Sequence, residues 1–184
     1  MTTSAIPVIY ASETGAKLDS NVHTGGGTDD TAILQAVLDR AKEGRGIHLI
    51  MDGAALVQGL VVYSNTIITC PNKDCGFYLA DGVNRALLIN ANQNYKEITT
   101  RNITIQGGTY NHNCLHQDHD YPVEKTEDYF PDVFGNVQCV MGFIFIGVEN
   151  LIIRDITLTD QRTFGMLIAN WRHVDMDNID MPLP

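Results

Sequence analysis

The sequence predicts an all-β domain built as a parallel β-helix, a strand solenoid with one α-helix at its front. Three observations predict it. The last third repeats: Gly142-Phe-Ile-Phe-Ile-Gly-Val-Glu-Asn150 lies over Gly165-Met-Leu-Ile-Ala-Asn-Trp-Arg-His173, 23 positions on, and Asn150–Leu158 lies over His173–Met181 at the same spacing. A period of that length made of short apolar runs marks a solenoid in which each repeat is one coil. The runs are rich in Ile, Val, Thr and Phe with Asn, Gly and Asp between them, which is strand-and-corner chemistry. Only one segment carries a helical pattern.

Residues 1–28 read as a Gly-rich leader in which Ile6, Val8, Ile9 and Tyr10 form a short strand that docks elsewhere. The helix follows over 29–44. Asp29 and Asp30 supply its cap and first-turn negative charge, Ile33, Leu34, Val37, Leu38 and Ala41 recur at helical spacing, and Gly44 stands where a left-handed terminator belongs. Its expected task is to cover the apolar open end of the first coil. Coils occupy 45–184. Gly46–Met51, Leu60–Tyr63, Thr66–Thr69, Phe77–Leu79, Ala86–Asn90 and Asn102–Ile105 read as strands, and Arg101-Asn-Ile and Ser64-Asn-Thr are upstream copies of Glu149-Asn-Leu. Asn65, Asn102, Asn150 and Asn178 are expected to stack at corners and bond along the solenoid axis. From Tyr110 to about Val137 the periodicity stops. With no second helix and no polar closing coil between Met181 and Pro184, the expectation is a longer β-helix, or a partner chain covering that end.

At 184 residues the chain is one domain's worth, and 44% hydrophobic against 18% charged residues is a globular balance. A net charge of −10 argues against nucleic acid, which requires a basic face. No apolar run is long enough to span a membrane. Met1–Pro7 lacks a charged-then-apolar signal pattern, leaving a cytoplasmic chain, one carried on a particle, or a trimmed one. Cys70 and Cys75 could close a small loop, but without a second close pair free thiols are expected and no metal is assigned.

Taken together, Gly27-Thr-Asp-Asp-Thr-Ala-Ile-Leu-Gln-Ala-Val37 and the coils behind it resemble the start of the pectate-lyase-like superfamily, whose members are right-handed parallel β-helices with an N-terminal capping helix. The finer resemblance is to polygalacturonase-like glycoside hydrolases, through Gly107-Gly-Thr-Tyr110 and Asn150-Leu-Ile-Ile-Arg-Asp-Ile-Thr-Leu-Thr-Asp-Gln-Arg-Thr-Phe164. It implies hydrolysis of a polysaccharide or oligosaccharide by an inverting pair of carboxyls, with no cofactor. The family's Asn-Thr-Asp coil, paired-Asp coil and Gly-His-Gly would follow the coil that ends at Met181, which puts its catalytic acids after Pro184. None of those residues maps onto these 184, and the chain by itself is expected not to cleave.

The candidate substrate contacts are Tyr110, His112, His116 and His119 in the aperiodic stretch, with Arg162 and Trp171. The histidines with Asp118 and Asp120 could instead hold a metal, or form an ordinary polar surface. Asp175 and Asp177 share a strand face, as a carboxylate pair would, and equally as two solvated positions do. Two other functions stay open: a trimeric, tailspike-like glycan-binding β-helix of a virion or cell surface, and a calcium-dependent polysaccharide lyase on the same fold. The lack of a Lys/Arg cluster disfavours the lyase.

Overall fold

The computed structural model describes residues 5–117, 141–162 and 164–182. Among these residues, eleven strands and one α-helix form a mostly parallel, β-helix-like all-β fold: β1 Val8–Tyr10, α1 Thr31–Leu38, β2 Ile47–Ile50, β3 Ala54–Val57, β4 Leu60–Val62, β5 Thr66–Thr69, β6 Gly76–Leu79, β7 Leu88–Asn90, β8 Thr100–Gln106, β9 Thr109–Asn111, β10 Met141–Thr159 and β11 Phe164–Asp180.

The strands pair in three parallel ladders. The first runs β1-β2-β5-β8 and on to the middle of β10; the second runs β3-β6-β9 to the end of β10; the third runs β4-β7 to its beginning. Strand β11 pairs with β10 along all three. Phe143 faces Met166 and Leu151 faces Val174, so the register reproduces the 23-residue repeat. The upstream copies also align, with Leu151 opposite Ile103 and Ile68 opposite Ile105.

Inward positions alternate with outward ones, as strand geometry requires. The first ladder sends Leu49, Ile68, Ile105 and Ile153 into the core, and the second sends Ala55, Phe77, Tyr110 and Leu158; all are fully buried. Aromatic rings bridge the ladders. Tyr110 lies 5.6 Å from Phe77 and 5.0 Å edge-on from Phe143, contacts worth about 1 kcal/mol each beyond burial. The stack is tight enough that Gly76 must stay glycine, since a Cβ there would approach the Thr109 carbonyl oxygen to 2.0 Å.

Helix α1 buries Leu34, Val37 and Leu38 and continues as a 3-10 turn over Asp39–Glu43 to Gly44 at φ 79°. Strand β4 is the first of its ladder, so Val61 would leave its backbone groups unpaired. The Gln35 side-chain amide stands in for a neighbouring strand: its Oε1 accepts the Val61 N–H at 2.8 Å and its Nε2 donates to the Val61 carbonyl at 3.1 Å.

Two expectations change here. Asp30 stands at the N-cap position, with its carbonyl accepting the Leu34 N–H, but its side chain does not cap the helix. It is 1% exposed, and its carboxylate accepts the backbone N–H groups of Lys17 at 2.8 Å and Leu18 at 2.9 Å, pinning the leader; Asp29 takes the Thr31 N–H at 2.9 Å. The leader also does more than dock one strand. Strand β1 pairs with β2, while Asp19 and Asp29 bridge to Ala54 and Leu56, placing it ahead of both the first and second ladders. Cys70, Cys75 and Cys114 are buried free thiols, and burial pushes Cys70 up to about 12; Cys139 lies outside the described residues. At the other end, β11 closes at Asp180, and Pro184, the expected end of the coils, lies outside the described residues. No helix among the described residues is long and apolar enough to cross a membrane.

Candidate functional site

The corners of the ladders differ in kind. One is made by Asn65, Asn102 and Asn150, all with left-handed backbones (φ 63°, 57° and 56°). Asn102 donates to Asn65 at 2.8 Å and Asn150 donates to Asn102 at 3.0 Å, which is the stack the repeats predict. Asn178 belongs to a different corner, where it donates to Asp155 at 2.8 Å. A third corner, between the second and third ladders, carries the longest connection, from β9 to β10.

The sequence candidates are distributed unevenly over this frame. Tyr110 points into the core with 0% exposure, its hydroxyl 3.7 Å from the Cys70 sulfur, and burial holds its phenol well above the ordinary value. His112 is also fully buried, with its N–H donating to the Thr159 carbonyl at 3.1 Å. His116 is exposed: its Nδ1 is 2.7 Å from Asn113 Oδ1 and 3.7 Å from Asp81 Oδ1. Arg162 donates to the carbonyls of Cys114 and Gln117, so it holds the short turn that carries His116. His119 lies outside the described residues. Trp171 is 59% exposed but belongs to another region: it pairs with Val148, opposite Thr100, in a column whose other two members are buried in the core. The third corner therefore gathers His112, His116 and Arg162, and leaves Trp171 apart.

Asp175 and Asp177 do share the outer face of the first ladder, opposite Ile152 and Arg154. Asp175 is ion-paired with Arg154, an arrangement that serves the sheet. No acid or base projects from the third ladder among the described residues. Its outward row is Val61, Ile89, Ile144 and Leu167.

Beside that row lies a cavity of about 700 Å³ lined by Val61, Tyr63, Ile89, Asn92, Gln93 and Lys42. The Lys42 ammonium sits 5.0 Å above the Tyr63 ring and 2.8 Å from Asp39, whose hydrogen bond, more than the ring, holds the lysine proton above its ordinary range. An aromatic face, two amides and a cation are groups that contact sugar rings and hydroxyls.

Sequence reasoning missed Tyr78, Asp81, Asn111 and Asn113 as a group, and read Asp160 only as a corner residue. Asn111 Nδ2 donates to Asp160 at 2.7 Å, Asn113 Nδ2 donates to Asp81 at 2.8 Å, and the Asn113 N–H donates to Asn111 Oδ1 at 2.7 Å. A findable signal existed, since Leu79-Ala-Asp81 and Leu158-Thr-Asp160 both place an acid two residues past an inward leucine.

No protein-family model matches the chain, and no curated protein matches its sequence. Among solved structures, the crystal structure of a provisionally assigned glycosyl hydrolase from Parabacteroides merdae is similar at a TM-score of 0.69 and 18% identity, over 95% of this chain and 74% of that one. At that identity the likeness is one of fold.

Proposed function

We propose that this chain is a right-handed parallel β-helix solenoid that engages a polysaccharide, in the manner of the N-terminal part of a polygalacturonase-like glycoside hydrolase. One observation carries the reading: the fold is shared over 95% of the chain with a provisionally assigned glycosyl hydrolase, and this chain carries the polygalacturonase-like motif pattern. The cavity at Tyr63 offers a place for a sugar unit, with the ring on the phenol face and hydroxyls on Asn92 and Gln93. Hydrolysis itself needs one carboxyl to protonate the leaving oxygen and another to activate water. The acids of the resembling family have no counterpart here, so the 184 residues are expected to bind and not to cleave.

The test is a panel of purified polysaccharides and their oligosaccharides. Binding is read by calorimetry, hydrolysis by reducing ends, and lyase action by the ultraviolet absorbance of the C=C bond that elimination leaves. Saturable binding weakened by Tyr63→Ala is the expected result. A panel with no ligand overturns the reading, and growth of the C=C absorbance replaces hydrolase with lyase. A second reading, a trimeric glycan-binding β-helix, draws support from the exposed Phe164, Trp171 and Met176 along β11. Light scattering decides it, since a monomer removes it.

A further inference from the structure

The corner between the second and third ladders holds more hydrogen-bonding capacity than the fold uses. Tyr78 projects outward from β6 and is in register with Asn111, which in turn is in register with Thr159, immediately before Asp160. The tyrosine is 7% exposed, and its ring is packed so closely that a Cβ on Gly25 would come within 2.4 Å of it. Its hydroxyl nevertheless makes no hydrogen bond among the described residues. The hydroxyl end of the ring reaches solvent, which leaves it open to water and to a ligand hydroxyl alike.

On the neighbouring coils in the same register stands a set of acceptors. Asp81 follows the strand that carries Tyr78, and Asp160 follows the strand two coils further on. The coil between them supplies Asn111 and Asn113, which fix one oxygen of each acid: Oδ2 of Asp160 and Oδ1 of Asp81. The other oxygen of each has no hydrogen-bond donor among the described residues. His116 is oriented through Nδ1 by Asn113, which leaves Nε2 on the free side of the ring. Burial, and after it the charges of Asp81 and Asp160, push the Tyr78 phenol up, so both carboxylates are felt at that hydroxyl. Two parallel-strand steps separate the acids along the axis, roughly 9.5 Å, about the reach of one sugar ring and its substituents.

We infer that Tyr78, Asp81, His116 and Asp160 form a second saccharide-contact site, on the other side of the third ladder from the Tyr63 cavity, selective for neutral sugars. Two oriented carboxylates, each with an oxygen left to solvent, can accept hydroxyl donors, and neighbouring sugar hydroxyls supply them in pairs. The same carboxylates repel a uronic acid, whose charge would add a third anion with only His116 nearby. The inference rests on the polysaccharide reading above and assigns the unit that this corner accepts.

The experiment is calorimetry with neutral hexasaccharides of glucan, xylan and galactan and with oligogalacturonate, on the full 184-residue chain and on Tyr78→Phe, Asp81→Asn, Asp160→Asn and Lys42→Met. Each corner variant is expected to weaken binding of the preferred neutral hexasaccharide about tenfold, as loss of one charge-assisted hydrogen bond does. Asp81→Asn/Asp160→Asn together are expected to raise the affinity for oligogalacturonate. Asp81 is exposed and asparagine keeps an acceptor at both sites, so melting temperatures confirm that the variants are folded. Unchanged neutral-sugar binding in all three corner variants, with loss in Lys42→Met, overturns this inference and leaves the polysaccharide reading standing. A wild-type chain that binds no saccharide removes both, and a wild-type preference for oligogalacturonate that the corner variants do not alter removes the selectivity.

Discussion

The asparagine corner and the Tyr78 corner are built from the same materials and end in opposite states. Both place Asn or Asp at left-handed positions, where those side chains tolerate the backbone better than others do. At the asparagine corner each amide is spent on the next: Asn102 gives to Asn65 and takes from Asn150, leaving little for a ligand. At the Tyr78 corner the amides point at carboxylates, and the carboxylates and the phenol keep capacity in reserve. A repeated polar residue thus marks structure when its partners are its own copies. It marks a site when its partners are chemically different and only half satisfied.

The sharpest way to break that contrast is to remove the middle asparagine. Asn102→Ala loses two side-chain bonds, each worth about 0.5–1 kcal/mol at an exposed position, and puts alanine at φ 57°, costing about 1–2 kcal/mol more. A total of about 2–4 kcal/mol is expected from the urea midpoint. Asn102→Gly keeps the backbone and should recover about half, and equal losses in the two variants would show that the side-chain bonds alone matter. Next comes Gln35, whose amide is spent on Val61. Gln35→Ala should cost about 1–2 kcal/mol, because a half-buried strand edge beside the helix loses the amide that stands in for a neighbouring strand. Exchange of the Val61 amide with deuterium should accelerate before that of its neighbours; unchanged protection would mean the pairing is idle. By contrast, Asp81→Asn should stay within about 0.5 kcal/mol of wild type, since that acid serves the ligand more than the fold.

How far each corner could be read from sequence follows from the same difference. Identical asparagines before similar apolar runs announce themselves in sequence, and the register confirms the alignment of Asn65, Asn102 and Asn150. The Tyr78 corner has no such announcement. Leu49, Ile68, Ile105, Ile153 and Met176 share one core column, yet the coils between them span 19, 37, 48 and 23 residues. Connections of unequal length fall at that corner and erase any fixed spacing between Tyr78, Asp81, His116 and Asp160. Tyr110 is hidden for a related cause. The polar run after it reads as loop, but the residue still obeys the alternation of β9 and stacks inward on Phe77. Trp171 adjoins charged residues in sequence; its register with Val148 puts it on the inward column, but on the last described strand, where it is 59% exposed.

The smallest effect expected at the asparagine corner is electrostatic, and it tests whether that corner is self-contained. Immediately before Asn102, Asn150 and His173 stand Arg101, Glu149 and Arg172, with Glu149 bonded to Arg101 at 2.9 Å and to Arg172 at 3.1 Å. The Arg101 hydrogen bond first, and then that of Arg172, hold the Glu149 carboxyl below its ordinary 4.5. A depressed acid stabilises the fold above its unfolded value and loses that contribution as pH falls through its folded value, so the contribution disappears only below about pH 4.5. Because the pair is exposed, salt should erase most of it. Carbon-detected NMR titration of Glu149 should give a midpoint under 4.5 in low salt, and Arg101→Met should move it upward more than Arg172→Met does. If both variants leave the midpoint in place, the charges are spectators, and the asparagine amides alone hold this corner together.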